Sequence, residues 1–246
     1  MTIKIAGPKA ETYFEKLLPN QDFGMYWYEN KDQFQIKLYN EIVALSDFEE
    51  FNKHLTIEAP KGIKQELMTT SPAGLAFLQL LLRQKEAKNV LEIGTFLGIS
   101  AMYFAEAVSR MDGKVITIEK GDEFSGFAKN NFAKNNYHNI ELFTGDAKEL
   151  IKTTNLTDID FVFIDGDKIH YLEIFLLLAE RVKDKCILVF DDAIFHGDIF
   201  NQYTKTDHGE GVKKLINYLK SEYKWTKTLV PILNGILILE KKNIVN

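Results

Sequence analysis

The run KNVLEIGTFLGIS at residues 88–100 constrains the fold of this chain more than any other stretch. It predicts a buried strand from Val90 to Ile93, a glycine turn, and a helix that begins at about Gly98. In open α/β sheets, ligands bind beyond the carboxyl ends of the strands. Gly94 and Gly98 lack a Cβ atom, so the backbone of this turn can approach a ligand closely.

An acidic residue, Glu92, precedes the first glycine, so the pattern is E-x-G-x-x-x-G. Dinucleotide-binding enzymes instead have G-x-G-x-x-G, in which the turn receives a pyrophosphate. A carboxylate at this position would repel a pyrophosphate and attract a cationic or amino-bearing ligand. S-adenosylmethionine (SAM) is such a ligand, although the run by itself could serve several cofactors.

The composition is that of an ordinary soluble globular protein of 246 residues, with 46% hydrophobic and 26% charged residues. The net charge of −5 gives no general attraction to nucleic acid, but it allows a local basic patch. The single cysteine rules out a disulfide framework within the chain. Because the N-terminus lacks an apolar signal core and no run has the length of a membrane span, we expect a cytoplasmic protein without membrane contact.

Residues 1–60 differ from the rest because they are rich in aromatic residues and carry no catalytic motif. Their helix-period apolar positions predict an N-terminal helical extension that packs on the core or on a second subunit of a homodimer. A substrate lid, in which residues 23–28 meet a flat ring, is the alternative. Residues 61–246 form the main domain in this interpretation.

From Asn89 onward, strand patterns alternate with helix patterns, which predicts a parallel sheet covered by helices on both faces. The predicted strands are 89–93, 114–119, 140–143, 160–165, 186–191, 225–231 and 235–241. The predicted helices are 72–82, 98–109, 122–135, 147–154, 169–182 and 209–222, with Ser71 and Pro72 opening the first. Asn234-Gly235 predicts an antiparallel hairpin at the end of the sheet.

Two acids lie at the ends of the second and third predicted strands. Glu119 is placed where an acid commonly accepts hydrogen bonds from a ribose, or it is a helix-capping or solvated acid. Asp146 either reaches an adenine amino group or caps the helix that begins at Ala147.

Three more acids, Asp165, Asp191 and Asp192, lie at the ends of the fourth and fifth predicted strands. Adjacent strand ends lie only ~5 Å apart, so these carboxylates can converge on one spot. Carboxylates that close repel one another unless a cation lies among them. Oxygen ligands favour a hard divalent cation, Mg²⁺ first, with Ca²⁺ or Mn²⁺ as alternatives. Helix capping is the competing explanation for any one of these acids.

Lys168 lies three residues after Asp165. A lysine beside a divalent cation loses its proton more readily and can then act as a general base. Without the acid cluster, Lys168 would be interpreted as a surface lysine. His170 and His196 flank this region without metal-ligand spacing, so we expect both at the rim of the site.

At this point the motifs resemble those of the cation-dependent class I O-methyltransferases, the family that includes caffeoyl-CoA and catechol O-methyltransferases. The likeness covers about residues 65–240. It is carried by Met68-Thr69-Thr70-Ser71, LEIGTFLGIS, FIDGDK, the Asp191-Asp192 pair and Leu233-Asn234-Gly235-Ile236, in the family's order. The resemblance implies a Rossmann-like class I methyltransferase fold with a seven-stranded, mostly parallel sheet that ends in an antiparallel hairpin.

The resemblance also implies roles for individual residues. The cofactor-binding residues would be Met68, Thr70, Glu92, Gly94, Thr95, Ser100, Glu119, Asp146, Ala147 and Asp165. Glu92 would bind the methionyl amino group, Glu119 the ribose, and Asp146 with Ala147 the adenine edge. Asp165 and Asp191 match the family's metal aspartates, and Lys168 matches its general base. The third metal position, usually asparagine in the family, holds Asp192 here.

The resulting hypothesis is methyl transfer from SAM to one oxygen of a vicinal diol, a catechol-like phenolic small molecule, assisted by a divalent cation. Three rivals stay open from the sequence. The first is the same chemistry on a hydroxylated uridine of tRNA, and the second is a SAM-binding protein without catalysis. The third is an NAD dehydrogenase, which the glycine spacing at 92–98 disfavours.

Overall fold

The computed structural model describes residue 45, residue 51, residues 54–61 and residues 70–243 of the 246. The α-helices in this part are α1 (Pro72–Lys85), α2 (Ile99–Ser109), α3 (Asp122–Lys134), α4 (Ala147–Thr153), α5 (Tyr171–Ala179) and α6 (Asp207–Ser221). The strands are β1 (Asn89–Ile93), β2 (Lys114–Glu119), β3 (Ile140–Thr144), β4 (Phe161–Ile164), β5 (Ile187–Phe190), β6 (Trp225–Val230) and β7 (Ile236–Lys241). The predicted N-terminal extension lies mostly outside the described residues and stays a prediction.

The strands form one sheet of seven in the order β3-β2-β1-β4-β5-β7-β6. β1 to β5 run parallel to their neighbours, whereas β7 is antiparallel to β5 and to β6. Both the seven-stranded sheet and its antiparallel end confirm the fold class predicted from the sequence. In the register of the central strands, Ile93 lies beside Ile164, and Ile164 lies beside Phe190. The residues that follow β1, β4 and β5 therefore emerge side by side.

Alternating residues of the central strands belong to two apolar layers, one on each face of the sheet. Val162 and Ile164 of β4 belong to the layer that includes α5 and α6. Phe161 and Phe163 of the same strand belong to the opposite layer, which includes α1 and α2. A parallel strand buried on both faces must be apolar at every position, as β4 and β5 are. The continuous apolar runs in the sequence are the direct result.

The elements differ from the predicted ones most clearly in three places. The predicted helix 169–182 begins as a 3-10 turn, Lys168–His170, and its α-helical part ends at Ala179. Between β5 and α6, where the sequence analysis places no element, the chain contains a 3-10 segment, Phe195–Phe200. The chain between β6 and β7 turns through 231–235, with positive φ at Leu233 (48°) and Gly235 (84°) rather than at Asn234. Glycine is suited to this conformation, which explains why the Asn-Gly signal located the hairpin correctly.

The start of α1 follows the predicted capping pattern. The side chain of Ser71 accepts a hydrogen bond from the backbone N–H of Gly74 at 3.0 Å, and Pro72 occupies the first turn.

Among the helices that the structure describes, none is long and apolar enough to cross a membrane.

Candidate active site

A cavity of about 690 Å³ opens at the carboxyl ends of the parallel strands. Its walls include nine of the residues singled out from the sequence: Thr70, Gly94, Glu119, Asp146, Ala147, Asp165, Lys168, Asp191 and Asp192. Glu92, Thr95 and Ser100 are buried and do not line it. Met68 lies outside the described residues, so its role stays a prediction. The structure thus brings together residues separated by more than a hundred positions in the chain.

The glycine turn after β1 approaches the turn after β4 so closely that no side chain fits between them. Gly94 has φ +100°, and a Cβ there would lie 2.6 Å from the carbonyl oxygen of Asp165. Gly98, the N-cap of α2, has φ +83°, and a Cβ there would lie 2.3 Å from the ring of Phe132. Both glycines are therefore required by backbone conformation and by space. The fold itself therefore needs glycine at these two positions, whether or not a ligand binds at the turn.

Glu92 lies in the sheet beneath this turn and is fully buried. Its Oε2 accepts a hydrogen bond from the hydroxyl of Thr117 at 2.5 Å, and that hydroxyl is 2.6 Å from the hydroxyl of Thr95. Oε1 has no hydrogen-bond partner among the described residues. Burial raises the pKa of Glu92 to about 8, although the hydroxyls of Ser100 and Thr117 oppose the rise. Burial therefore favours the neutral, protonated form of Glu92.

Glu119 ends β2 and ties two turns together while facing the cavity. Its Oε2 accepts a hydrogen bond from the backbone N–H of Phe96 at 2.8 Å, and its Oε1 accepts one from Gly121 at 3.0 Å. The carboxylate therefore holds the glycine turn after β1 in place. Carboxylate oxygens have further lone pairs, so these bonds leave capacity for ribose hydroxyls.

Asp146 is the N-cap of α4, which is the structural alternative considered for it. Its Oδ1 accepts a hydrogen bond from the backbone N–H of Lys148 at 2.8 Å. Asp146 and Ala147 both line the cavity, so a cap and a contact with an adenine edge are compatible. The adenine contact itself stays a prediction.

The ammonium of Lys168 lies between two of the predicted acids. Its Nζ is 2.7 Å from Oδ1 of Asp165 and 3.1 Å from Oδ2 of Asp192. Thr70 adds a long hydrogen bond, 3.4 Å, from its hydroxyl to the other oxygen of Asp165. Burial alone would lower the pKa of Lys168, but the neighbouring carboxylates outweigh it and raise that pKa well above its usual value. Lys168 is therefore protonated in this arrangement.

The third acid, Asp191, belongs to the same group. Its Oδ1 accepts a hydrogen bond from the backbone N–H of Asp192 at 2.9 Å. Burial, together with the charges of Asp165 and Asp192, raises the pKa of Asp191 well above its usual value. Burial likewise raises the pKa of Asp165, despite the attraction of Lys168. Three carboxylates around one ammonium leave an excess of negative charge in a low-dielectric setting.

A divalent cation fits this group in chemistry and charge. The oxygen donors are those a hard cation prefers, and burial together with the neighbouring carboxylates raises the pKa values of Asp165 and Asp191. The side chains are arranged around the ammonium of Lys168, however. Within residues 54–61 and 70–243, no three His, Cys, Asp or Glu side chains form a ready-made ligand set. Binding of a cation would require oxygens of these carboxylates to converge on one point.

The backbone that carries Lys168 is held by residues that the sequence analysis did not single out. A Cβ at Gly211 of α6 would lie 2.3 Å from the carbonyl oxygen of Lys168, so only glycine allows this helix to pack there. The hydroxyl of Tyr171 donates to the carbonyl oxygens of Asp191 (2.9 Å) and Ile164 (3.2 Å). A glycine inside a helical pattern is a signal for close packing. For Tyr171 there was no comparable signal.

The two histidines predicted at the rim both line the cavity. Nδ1 of His170 lies 3.3 Å from Oε2 of Glu173. At the same rim, Nε2 of His208 lies 3.3 Å from Oδ1 of Asp167. His196 has positive φ (52°), and its Nδ1 is buried with no hydrogen-bond partner in the described part of the chain. The rim thus offers polar groups to a ligand that extends out of the cavity.

Comparisons with known proteins agree with this geometry. Residues 44–242 match the model of a protein family described as O-methyltransferase. The chain is 27% identical over 223 residues to the probable caffeoyl-CoA O-methyltransferase 2 of Dictyostelium discoideum, covering 88% of this chain and 96% of that protein. It is also 27% identical over 151 residues to the catechol O-methyltransferase of Niastella koreensis, covering 60% and 68% of the two chains.

Among solved structures, the chain resembles the Podospora anserina methyltransferase PaMTH1, whose crystal structure contains bound S-adenosylhomocysteine (SAH). The TM-score is 0.74 at 16% identity, with 87% of this chain and 97% of that chain covered. At this identity the likeness shows the fold alone. It agrees with the predicted Rossmann-like class I methyltransferase architecture.

Proposed function

We propose that this chain, which belongs to the O-methyltransferase family, methylates one oxygen of a catechol-like vicinal diol with the help of a divalent cation. The coarser activity, SAM-dependent O-methyl transfer, follows from the family and from relatives that match most of the chain. The class of acceptor and the need for a cation go beyond this activity and are the content of the proposal. The rival interpretations as a NAD dehydrogenase or as a SAM-binding protein without catalysis are thereby set aside.

The observation that carries the proposal is the position of Asp165, Asp191 and Asp192 at adjacent strand ends, with Lys168 paired to Asp165 and Asp192. These carboxylates lie at the ends of adjacent strands, in the wall of the cavity, with more negative charge than one ammonium neutralises. A structural salt bridge needs one acid for one base. Three acids beside one base at a cavity wall are better explained by a bound cation and by a substrate that shares it.

In this proposal Asp165, Asp191 and Asp192 would hold the cation, and two adjacent hydroxyls of the acceptor would complete its coordination. When bound, the cation would lower the pKa of the acceptor hydroxyl and fix its direction. Neutralisation of the carboxylates would release Lys168 from its ion pairs, so its pKa would fall and its ammonium would lose a proton to water. The neutral Lys168 Nζ would then accept the hydroxyl proton, and the acceptor oxygen would attack the methyl group of SAM in line, with SAH as the leaving group.

The glycine turn would set the position of SAM. Gly94 brings the backbone after β1 against that of Asp165. A methionine part bound at this turn would lie on the same side of the cavity as Lys168. Glu119 would accept hydrogen bonds from the ribose, and Asp146 with Ala147 would meet the adenine. Glu92 would interact with the methionyl amino group from beneath the turn, through the hydroxyl of Thr117, Thr95 or Ser100. The protein then contributes proximity and charge stabilisation, without a covalent intermediate.

A matched pair of acceptors tests the proposal. Methyl transfer from SAM is measured with a catechol and with the same phenol lacking the second hydroxyl, both in Mg²⁺. We expect turnover of the catechol and at least a hundredfold lower kcat/KM for the single phenol. Equal rates on the two would contradict the vicinal-diol proposal. Methylation of tRNA in preference to either phenol would establish the tRNA alternative, against which the net charge of −5 speaks mildly.

The proposal extends to assembly. We infer that the N-terminal extension, residues 1–60, contacts a second subunit or covers the acceptor. Its described end, 54–60, is not helical. Light scattering coupled to gel filtration tests the homodimer through the measured mass, expected at twice 28.3 kDa. A mass of one chain would leave the lid as the interpretation of this segment.

A further inference from the structure

Two asparagine side chains bind the backbone of the segment 54–61. Asn131 belongs to α3, and Asn135 directly follows the last residue of that helix. Oδ1 of Asn131 accepts a hydrogen bond from the N–H of Glu58 at 2.8 Å, and its Nδ2 donates to the carbonyl oxygen of the same residue at 3.0 Å. Asn135 repeats the arrangement on Thr56, at 2.8 Å and 3.0 Å. Each side-chain amide thus pairs with both polar groups of one residue, as a neighbouring strand would. We call this arrangement the asparagine clamp.

The spacing explains why two asparagines four residues apart serve this purpose. Four residues of an α-helix rise by about 6 Å. Two residues of an extended chain rise by about 6.6 Å. Asn131 and Asn135 therefore match Thr56 and Glu58, which are two residues apart, with the segment antiparallel to the helix. An ion pair between Lys134 and Glu58 adds to the same contact.

Asn131 has a second partner that Asn135 lacks. Its Nδ2 also donates to the carbonyl oxygen of Leu97 at 3.0 Å, inside the glycine turn that follows β1. Its neighbour Phe132 is the residue that leaves no room for a side chain at Gly98. Asn131 is fully buried, and all of its amide's donors and its acceptor oxygen are used. The second N–H of Asn135 instead bonds its own helix, at the carbonyl oxygen of Asn131.

We propose that Asn131 is a positioning residue for SAM. Its one side-chain amide is hydrogen-bonded both to Leu97 of the glycine turn after β1 and to Glu58 of the segment 54–61. The turn and the segment then move as one body, and SAM affinity depends on contacts made by a segment that does not line the cavity. By reciprocity, SAM bound at the turn stabilises the hydrogen bonds of the segment. The inference rests on the proposed placement of SAM at the glycine turn.

The two asparagines supply a matched comparison. Asn131→Ala removes the bonds to both Leu97 and Glu58, whereas Asn135→Ala removes only bonds to Thr56 and to the helix. SAH binding is measured by calorimetry, and KM for SAM and kcat are measured with the acceptor at saturation. For Asn131→Ala we expect at least tenfold weaker SAH binding and a similar rise in KM, with kcat within about threefold. For Asn135→Ala we expect SAH binding within threefold of the parent.

The segment side gives a second pair of variants. Glu58→Ala removes the ion pair with Lys134 but keeps the backbone N–H that Asn131 binds. Glu58→Pro removes that N–H as well. We expect Glu58→Pro to bind SAH at least fivefold more weakly than Glu58→Ala, although neither changes a residue of the cavity wall.

Hydrogen exchange in the unsubstituted protein tests the coupling without any risk of misfolding. Saturating SAH is expected to slow exchange in the peptide that spans 54–61 by at least fivefold. SAH binding within threefold of the parent for Asn131→Ala, equal losses for the two asparagines, or unchanged exchange in 54–61 would each overturn the inference. If the unsubstituted protein failed to bind SAH at all, the proposed function would fail first.

Discussion

Nζ of Lys168 lies 2.7 Å from Oδ1 of Asp165, and this ion pair stands in the wall of the cavity between the ends of β4 and β5. The contact joins the candidate base to a candidate metal ligand. While it holds, the pKa of Lys168 stays well above its usual value, so the lysine is unable to accept a proton. The proposed chemistry therefore begins with neutralisation of the acids, and several consequences can be measured.

Replacing Lys168 by methionine is expected to lower kcat by a factor of about 10² to 10⁴, the usual range for loss of a general base. KM for SAM is expected to stay within a few fold, because Lys168 lies beside the proposed acceptor rather than beneath the cofactor turn. Lys152→Met on the exposed face of α4 is the matched control and should keep full activity. A Lys168→Met enzyme with near-normal kcat would remove the lysine from the mechanism.

Asp192→Asn places at this position the residue usual in the family that the sequence resembles. One negative charge fewer is expected to weaken the apparent affinity for Mg²⁺ by about tenfold, because affinity for hard cations depends on ligand charge. At saturating Mg²⁺, kcat should stay within about threefold of the parent value. Titration of activity with MgCl₂ gives both quantities. An unchanged Mg²⁺ titration would show that Asp192 is not a ligand.

Gly94→Ala is expected to destabilise the fold by about 2 kcal/mol or more, because it combines strained φ with a backbone clash. Its Cβ would lie 2.6 Å from the carbonyl oxygen of Asp165. Gly126→Ala is the control, since a Cβ there meets no atom within 4 Å on the exposed side of α3. That substitution should stabilise the protein by roughly 0.5 to 1 kcal/mol. Urea unfolding measures both, and a neutral Gly94→Ala would contradict the close approach of the two turns.

Glu92 predicts a pH-dependent stability in the absence of SAM. Its pKa is raised from 4.5 to about 8 in the folded protein, so the folded state holds a proton that the unfolded state releases. The stability contributed by the neutral acid is complete below pH 4.5 and is lost as pH rises through 8. Glu92→Gln, which has no proton to lose, should therefore gain roughly 3 kcal/mol relative to the parent between pH 5 and pH 8.

Unfolding by urea at several pH values, with parent and Glu92→Gln side by side, provides this comparison. A stability difference that is independent of pH would mean that Glu92 is ionised in the folded protein. In the presence of SAH the difference should shrink, because the amino group of the ligand favours the ionised acid.

The sequence was sufficient for the sheet and for the grouping of the acids, since both follow from local patterns. Apolar runs marked β4 and β5, and the acids directly after them met because parallel strand ends lie at one edge. The depth of Glu92 was not predictable from its motif. Its side chain is bonded to that of Thr117 on the neighbouring strand, so it is buried beneath the turn rather than exposed in the cavity wall.

Long-range contacts account for most of what the sequence left out. Asn131 and Asn135 occur in an ordinary polar helix, and nothing near them in the chain indicates partners at Glu58 and Thr56. Likewise, the pairing of Lys168 with Asp192 depends on the sheet register and on the turn geometry at Asp192, where φ is +53°. Such contacts depend on how elements pack, which a local pattern does not encode.

The dependence of methyl transfer on a divalent cation tests the central claim most directly. Initial rates are measured with SAM and a catechol after removal of metal by excess chelator and again after MgCl₂ is added back. The account predicts loss of at least 99% of the activity in chelator, full recovery with Mg²⁺, and no recovery for Asp165→Ala. Undiminished turnover in chelator, or a fully active Asp165→Ala enzyme, would contradict it.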